Sequence, residues 1–289
     1  MMRGRGASAL PLLAPFGIGI ALLLVVPALI TFGYAFTDHT GFGTPRFSGL
    51  GNLRRAFEDP LAAAALRASV LFALLAVPIR LLVAVGAGIA LARPRRGARL
   101  GRVLVYLPTV IPDVALALVF LWVFNPLYGP VNGVLGAFGL PQPVWLSTAW
   151  GARWAIVIMM AFPIGEAFLV TLAARRSLPA ETYEAAAVDG ASAWQQLRHV
   201  TLPQLAPLLV LLAVRDTILS LQVNFVPAYV LTDGGPDAAT LFLPVYIFDQ
   251  AFEFLGFGYG AMLTLVLFVV TGVLITIQAL LARRWGWLR

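Results

Sequence analysis

The sequence predicts an all-α integral membrane protein that crosses the bilayer six times. Three observations support this fold class: an apolar composition, six long apolar segments, and arginines concentrated in alternate loops. The 289 residues are 60% hydrophobic and only 11% charged, with a mean hydropathy of +0.89. Soluble domains carry about a quarter charged residues and less than half apolar ones. The composition therefore excludes an ordinary soluble domain.

A helix needs roughly 20 predominantly apolar residues to cross the hydrocarbon core of a bilayer. The first such segment contains 27 uncharged residues, whereas the apolar core of a signal peptide has about 7–15. We therefore expect it to be a retained span. We predict that residues 1–289 form a single transmembrane domain with spans over 10–36, 68–92, 103–124, 154–174, 203–230 and 259–282.

The arginines predict the orientation of these spans. All 20 basic residues are arginine; 13 lie in loops on the side of the N-terminus and 5 lie in the opposite loops, while Arg80 and Arg215 fall within spans. Positive residues are enriched on the cytoplasmic side of a membrane protein. Both termini are therefore predicted to be cytoplasmic. The net charge of +7 reflects this topology and gives no reason to expect a nucleic-acid partner.

The composition also excludes several kinds of chemistry. The absence of lysine rules out a phosphate-binding loop that ends in Gly-Lys-Ser/Thr, and a Schiff-base lysine. The absence of cysteine rules out disulfides and thiolate sites. His39 and His199 lie far apart and have no partner at metal-ligand spacing. We therefore predict neither catalytic nor metal-binding residues.

The stretch EAAAVDGASAWQQLRHVTLPQLAP begins at Glu184 and is a polar excursion between two apolar spans. On the predicted topology it belongs to a cytoplasmic loop, 175–202. Ser177 and Pro179 are expected to open a first short helix. Glu181 then places a carboxylate in the first turn, where the helix dipole favours it.

The same loop carries signals for the end of this helix and the start of another. Asp189-Gly190 should end the first helix, because glycine accepts a left-handed conformation without steric cost. Ser192 and Gln195 have the spacing of a capping box for a second helix. Pro203 is expected to mark the return to the membrane. The pattern alone fits a docking element and an ordinary surface hairpin equally well.

This stretch resembles the EAA loop of binding-protein-dependent ABC importer permeases, in which Glu-Ala-Ala, a nearby Gly and a downstream Leu-Pro recur. The matching positions are Glu184, Ala185, Ala186, Asp189, Gly190, Ala191 and Pro203. Four further stretches resemble the sugar-permease branch (maltose and glycerol-phosphate type) in the expected order. They are FSGLGNLRRAFEDP (47–60), LPTVIPDVALALVFLWVFNPLYGPVNGVLG (107–136), SLPAETYEAA (177–186) and YVLTDGGPDAAT (229–240).

The resemblance implies a type I ABC importer permease fold in the inner membrane of a bacterium. It implies that the 175–202 loop is the coupling element that seats in a dimer of ATPase subunits. ATP and Mg²⁺ would be bound by those subunits, and this chain would hold no cofactor. The expected partners also include membrane lipid, a second and different permease chain, and a periplasmic or lipid-anchored binding protein. The expected substrate is a sugar or a related polyol compound.

Polar and aromatic residues within the spans are candidates for the substrate path. A charge at the bilayer centre costs at least about 2.5 kcal/mol, so such residues face a partner or a water-filled path. The candidates are Asp113, Trp122, Phe162, Glu166, Asp216 and Asn224. Sugar permeases often carry a tryptophan and a polar amide near the middle of span four, where this chain has Ala161 and Phe162. Stacking on a sugar from that position would therefore depend on Phe162.

A packing alternative stands beside the substrate-path interpretation. The charged candidates and Arg80 could instead form salt bridges between helices, and Trp122 could anchor a span end at the membrane interface. Arg215 and Asp216 are adjacent, so they point about 100° apart on a helix, and at least one is expected to reach across to another helix.

Other functions also remain open from the residues alone. They are a permease for glycerol phosphate or a phosphodiester, an ion-coupled secondary carrier, and a small membrane enzyme. The apolar, aromatic segment DAATLFLPVYIFDQAFEFLGFG is predicted to form an interfacial helix on the external face. It could contact a binding protein, form an outer gate, or simply connect two spans.

Overall fold

The computed structural model describes residues 10–93, 95–222, 224–284 and 286. These residues form helices and no strand, apart from one isolated β-bridge between Thr37 and Phe47. The α-helices are α1 Leu10–Ile20, α2 Val26–Tyr34, α3 Gly51–Glu58, α4 Pro60–Ala90, α5 Ala98–Tyr106, α6 Asp113–Val123, α7 Pro130–Ala137, α8 Ala149–Met160, α9 Gly165–Ser177, α10 Ala180–Val188, α11 Ala193–Gln196, α12 Leu202–Gln222, α13 Phe225–Leu231, α14 Leu243–Phe248 and α15 Phe257–Arg284. Wider π turns cover Ala21–Val25, Leu197–Thr201 and Asp249–Glu253, and 3₁₀ turns cover Leu107–Val110 and Trp145–Ser147.

Four helices in this part of the chain are long and apolar enough to cross a membrane. They are Leu13–Tyr34, Pro60–Ala90, Ala193–Gln222 and Phe257–Arg284. Two bent helix pairs, Ala98–Val110 with Asp113–Val123 and Ala149–Met160 with Gly165–Ser177, raise the number to six if each pair is one span. The protein is therefore an all-α, multi-pass membrane protein, as its composition predicts.

The predicted third span, 103–124, is interrupted between Val110 and Asp113 by a bend of 104°. Pro112 explains the interruption, because proline has no N–H to donate and forces the preceding residue into an extended conformation. Ile111 accordingly has φ −75° and ψ 127°. The break moves Asp113 from the expected middle of a helix to the first turn of α6, where the dipole stabilises its carboxylate.

The predicted fourth span, 154–174, is also interrupted, between Met160 and Gly165, with a bend of 47°. Pro163 lies in this break, and Gly165 opens α9 against a neighbouring turn. The N–H of Gly165 donates to the hydroxyl of Thr109 at 2.8 Å. A Cβ at position 165 would collide with the same hydroxyl, so only glycine fits this close approach.

The 175–202 loop continues into α12 without a break in the helix. Ser192 and Gln195 form the predicted capping box, but α11 continues through the π turn Leu197–Thr201 directly into α12. Pro203 therefore lies inside a continuous helix and does not mark where a new one starts. Proline cannot donate to the carbonyl four residues earlier, and the wider π turn accommodates that missing hydrogen bond. The first loop helix begins at Ala180, and Ser177 caps nothing, because its hydroxyl donates to the carbonyl of Ala174.

The predicted fifth span, 203–230, contains two described helices, because α12 covers Leu202–Gln222 and the short helix α13 covers Phe225–Leu231. The apolar, aromatic segment that follows contains α14 and the π turn Asp249–Glu253, so the expected helix is present there. Several of its side chains are buried within the protein, including Leu243, Val245 and Ala251.

The chain divides into two compact units, Met1–Ala63 with Tyr246–Val266 and Ala64–Val245 with Leu267–Arg289. The first unit has a small core around Ala35, Ala261 and Met262. The second unit contains the main core, in which side chains from α4, α6, α8 and α13 pack together. Its members include Phe72, Leu116, Ile156, Ala228 and Phe242. Burial of these apolar side chains orients the helices that carry the polar candidates.

In the first unit, the carboxylate of Asp59 holds the start of α4. Its Oδ1 accepts hydrogen bonds from the amides of Leu61 and Ala62 at 2.9 and 3.3 Å. Its Oδ2 accepts hydrogen bonds from the hydroxyls of Tyr246 and Tyr259 at 2.5 and 2.7 Å. Burial by itself would raise the pKa of Asp59, but the four hydrogen bonds outweigh burial and lower that pKa.

This network predicts a pH dependence of stability. Because the folded-state pKa of Asp59 lies below its ordinary value of 3.8, the ionised carboxylate stabilises the fold above that value and ceases to do so as the pH falls through the lowered pKa. Asp59→Asn should therefore lower the unfolding temperature by a constant amount between about pH 8 and pH 5. The difference from the wild type should shrink below pH 3.8. A difference that grows on acidification, measured by thermal unfolding in detergent, would contradict this role.

Candidate functional site

Helix α10 ends in a rigid turn at the position that the sequence predicts. The N–H of Gly190 donates to the carbonyl of Ala187 at 3.0 Å, and the N–H of Ala191 donates to the carbonyl of Ala186 at 2.9 Å. This pair of hydrogen bonds is a Schellman motif. Gly190 has φ +78°, which confirms the predicted left-handed conformation. A Cβ at this position would meet nothing within 4 Å, so the strain of a substitution there comes from the backbone alone.

Tyr183 fixes the position of α10, although it was not among the site residues predicted from the sequence. The hydroxyls of Tyr183 and Thr201 lie 2.9 Å apart and share a hydrogen bond. The guanidinium carbon of Arg175 lies 4.0 Å from the centroid of the Tyr183 ring, in a cation–π contact. Tyr183 therefore ties α10 both to the end of α9 and to the π turn that leads into α12. The sequence shows that an aromatic residue lies in an alanine-rich helix, but it does not show which residues that aromatic side chain contacts.

The surface of this loop is open and carries apolar side chains. Glu184 and Ala185 are exposed, and Ala186 is partly buried. Val188 and Trp194, on either side of the turn, are 87% and 66% exposed. α10 thus presents alanine and valine, and α11 presents tryptophan, on either side of a turn that hydrogen bonds hold. Its role in coupling to an ATPase stays a prediction.

Asp216 forms a buried ion pair with Arg80 of α4. The Nη2 of Arg80 lies 3.1 Å from Oδ1 of Asp216, and its Nη1 lies 3.5 Å from the hydroxyl of Ser220, one turn further along α12. Both charged side chains are nearly inaccessible, at 13% and 9% exposure. The contact favours the packing alternative for these two residues.

Asp216 and its neighbour face different helices, as their spacing predicts. Arg215 forms an ion pair with Glu166, which lies in the first turn of α9. Their side chains are 46% and 58% exposed. Both line a pocket of about 330 Å³. Glu166 therefore remains a candidate for the substrate path, and Arg215 joins it.

The other candidates lie at separate places in the fold. Asn224 precedes α13 and is fully buried, yet neither atom of its amide has a hydrogen-bond partner in the described part of the chain. An unpaired buried polar group costs about 1–3 kcal/mol and calls for an explanation. Phe162 is half exposed and packs edge-on against Phe120, with ring centroids 5.7 Å apart. Trp122 and Asp113 are exposed at opposite ends of α6.

The helical, multi-pass fold and the loop between its fourth and fifth spans define a transport permease. The chain belongs to the family described as binding-protein-dependent transport system inner membrane component, whose profile matches residues 83–287. This match confirms the resemblance carried by the EAA-like stretch. It also removes the ion-coupled carrier and the membrane enzyme from consideration.

Two relatives are similar over nearly their whole length. The lactose transport system permease protein LacF of Rhizobium radiobacter is 33% identical over 272 residues, covering 91% of this chain and 90% of LacF. The sulfoquinovosyl glycerol transport system permease protein SmoG of Agrobacterium fabrum is 32% identical over 266 residues, covering 91% of this chain and 86% of SmoG. A crystal structure of a bacterial alginate ABC transporter, in complex with an alginate pentasaccharide-bound periplasmic protein, contains a chain with the same fold. The TM-score is 0.79 at 23% identity, covering 95% of this chain and 93% of that chain.

Proposed function

We propose that this chain is one permease subunit of an ATP-driven importer that takes up a sugar or a related polyol compound. The family to which it belongs and the two sugar-permease relatives support the proposal. The observation on which it rests is the exposed helix α10, fixed by Tyr183 and ended by Gly190. A short helix transmits motion only if its geometry is held while its surface stays open for a partner.

The proposed assembly contains a second, different permease chain, two ATPase subunits that bind ATP and Mg²⁺, and an external binding protein. This chain makes and breaks no covalent bonds. Closure of the ATPase dimer would move the 175–202 loop and switch the helices between inward-facing and outward-facing arrangements. None of the apolar window of Leu13–Tyr34 is buried within the described structure, which leaves that helix available to lipid or to the second permease.

Site-specific cross-linking tests the coupling role directly. Because the chain contains no cysteine, a cysteine in place of Val188 provides a single attachment point for a benzophenone–maleimide. We expect light to cross-link this variant to the ATPase subunit in native membranes. A cysteine in place of Leu127, which is 90% exposed in a loop predicted to be external, is the matched control and should give no such product. Equal cross-linking from both positions, or from neither, would contradict the coupling role.

The proposed orientation in the bacterial inner membrane gives a second prediction. The 13-to-5 arginine asymmetry places both termini in the cytoplasm and the 231–258 segment outside. Alkaline phosphatase, which is active only outside the cytoplasm, should be inactive when fused to the C-terminus and active when fused within 231–258. Green fluorescent protein should report the reverse. If the reporters place both fusion sites on the same side of the membrane, the six-span topology is excluded.

A further inference from the structure

Two ion pairs of the same chemistry lie within the spans of the second unit, and they differ in burial. The Arg80–Asp216 pair is nearly inaccessible, whereas the Arg215 and Glu166 side chains are 46% and 58% exposed. Removing one partner of a buried pair leaves an uncompensated charge and is strongly unfavourable. A half-exposed pair contributes little where water reaches it and screens its charges. Only the second pair can therefore exchange its partner at low cost.

The exposed pair lies in a pocket that can hold a small ligand. The volume of about 330 Å³ lies within the range of ligand-binding pockets. Residues three and four apart share one face of a helix, so α9 and α12 each turn one face towards the pocket. The lining residues are Tyr106, Glu166, Leu169, Val170, Leu212 and Arg215. Apart from the ion pair and the tyrosine, the lining is aliphatic.

The pocket lies deep within the membrane-spanning part of the chain. Glu166 precedes Arg175, at the cytoplasmic end of α9, by nine residues, which is about 14 Å of helix. The hydrocarbon core is about 30 Å thick. The Arg215–Glu166 pair is therefore close to the bilayer midplane, where a water-filled transport path gives the best account of exposed charges.

We propose that Arg215 binds the acidic group of the transported sugar, and that Glu166 is the internal carboxylate which that group displaces. A guanidinium matches the geometry of a carboxylate or a sulfonate with two parallel hydrogen bonds. Because the lining contains one guanidinium, we expect the transported sugar to carry one acidic group. On release of the ligand, Glu166 pairs with Arg215 again. The inference rests on the proposed function, and it narrows the substrate class to monoanionic sugars.

Thermal unfolding of the purified permease–ATPase complex, with glucuronate or glucose as the probe, tests this assignment. Glucuronate should raise the unfolding temperature of the wild-type complex more than glucose does. Glu166→Gln removes the competing carboxylate and should tighten glucuronate binding by roughly two- to five-fold. The same variant should slow uptake, because no carboxylate returns to displace the ligand. Arg215→Gln should abolish the preference for glucuronate.

Two further variants separate this role from structural effects. The double variant Arg215→Gln with Glu166→Gln leaves no unpaired charge, so it should fold even if a single variant does not, and it should also lose the preference. Glu58→Gln frees Arg54 from an exposed ion pair on α3 and should not change glucuronate binding. A preference that is absent in the wild type, or that survives in the double variant, would overturn the inference. If the variant complexes lose the second permease, the inference is also overturned, because the Arg215–Glu166 pair would then serve packing between the subunits.

Failure of the inference can be told apart from failure of the proposed function. A reconstituted complex that drives uptake of a neutral sugar with ATP, but responds equally to glucuronate and glucose, overturns the anion site alone. A complex that takes up neither kind of sugar, although its ATPase is bound, overturns the proposed function.

Discussion

Gly190→Val is expected to uncouple ATP hydrolysis from uptake while leaving the permease folded and inserted. The φ of +78° at this position costs a residue with a Cβ roughly 1–2 kcal/mol. A Cβ at this position would meet no atom of the described residues within 4 Å, so the strain lies in the backbone and the turn relieves it by changing its backbone. Such a change re-aims α10 relative to the rest of the loop.

We expect substrate uptake per ATP hydrolysed to fall by roughly 5- to 30-fold, the factor that corresponds to 1–2 kcal/mol. Alternatively, the loss of coupling can appear as weaker retention of the ATPase when the complex is purified. Gly190→Asn is the matched control, because asparagine tolerates a left-handed conformation better than other residues. It should therefore retain more coupling than valine.

Ala186→Trp should impair coupling in the same way, by blocking close approach of the ATPase to the alanine face. If both Gly190→Val and Ala186→Trp transport at the wild-type rate with the ATPase bound normally, the loop is not the coupling element.

Asp216→Ala is expected to produce the largest loss of stability, roughly 3–5 kcal/mol, because it leaves Arg80 buried without its partner. Replacing both residues, as Arg80→Met with Asp216→Leu, should recover most of that loss, since a well-packed apolar pair is often as stable as a buried ion pair. Unfolding in detergent, monitored by tryptophan fluorescence, measures both effects.

The exposed pair of Arg54 and Glu58 provides the comparison. Its atoms are 2.8 Å apart, but its side chains are 81% and 63% exposed, so Glu58→Ala should cost less than about 1 kcal/mol. If Asp216→Ala folds and assembles normally and loses only uptake, the residue would belong to the substrate path, and the packing interpretation would be wrong.

The sequence contained signals for two features that the span predictions passed over. Pro112 and Pro163 stand inside the third and fourth apolar segments, and each lies in a break between helices. Hydropathy counts apolar residues whether or not a helix can continue through them, so a span defined by hydropathy runs over such a break. The 175–202 loop differs in this respect, because a π turn lets one helix continue from the loop through Pro203 into α12.

Local chemistry determined what the sequence could predict by itself: the membrane class, the left-handed turn at Gly190 and the capping box at Ser192. Each depends on composition or on residues within one helical turn of each other. Only the tertiary structure decided that Asp216 faces Arg80, that Arg215 faces Glu166, and that Tyr183 holds α10. The physical reason is that these partners are distant in the chain, so helix packing around the apolar core sets their distances and their exposure.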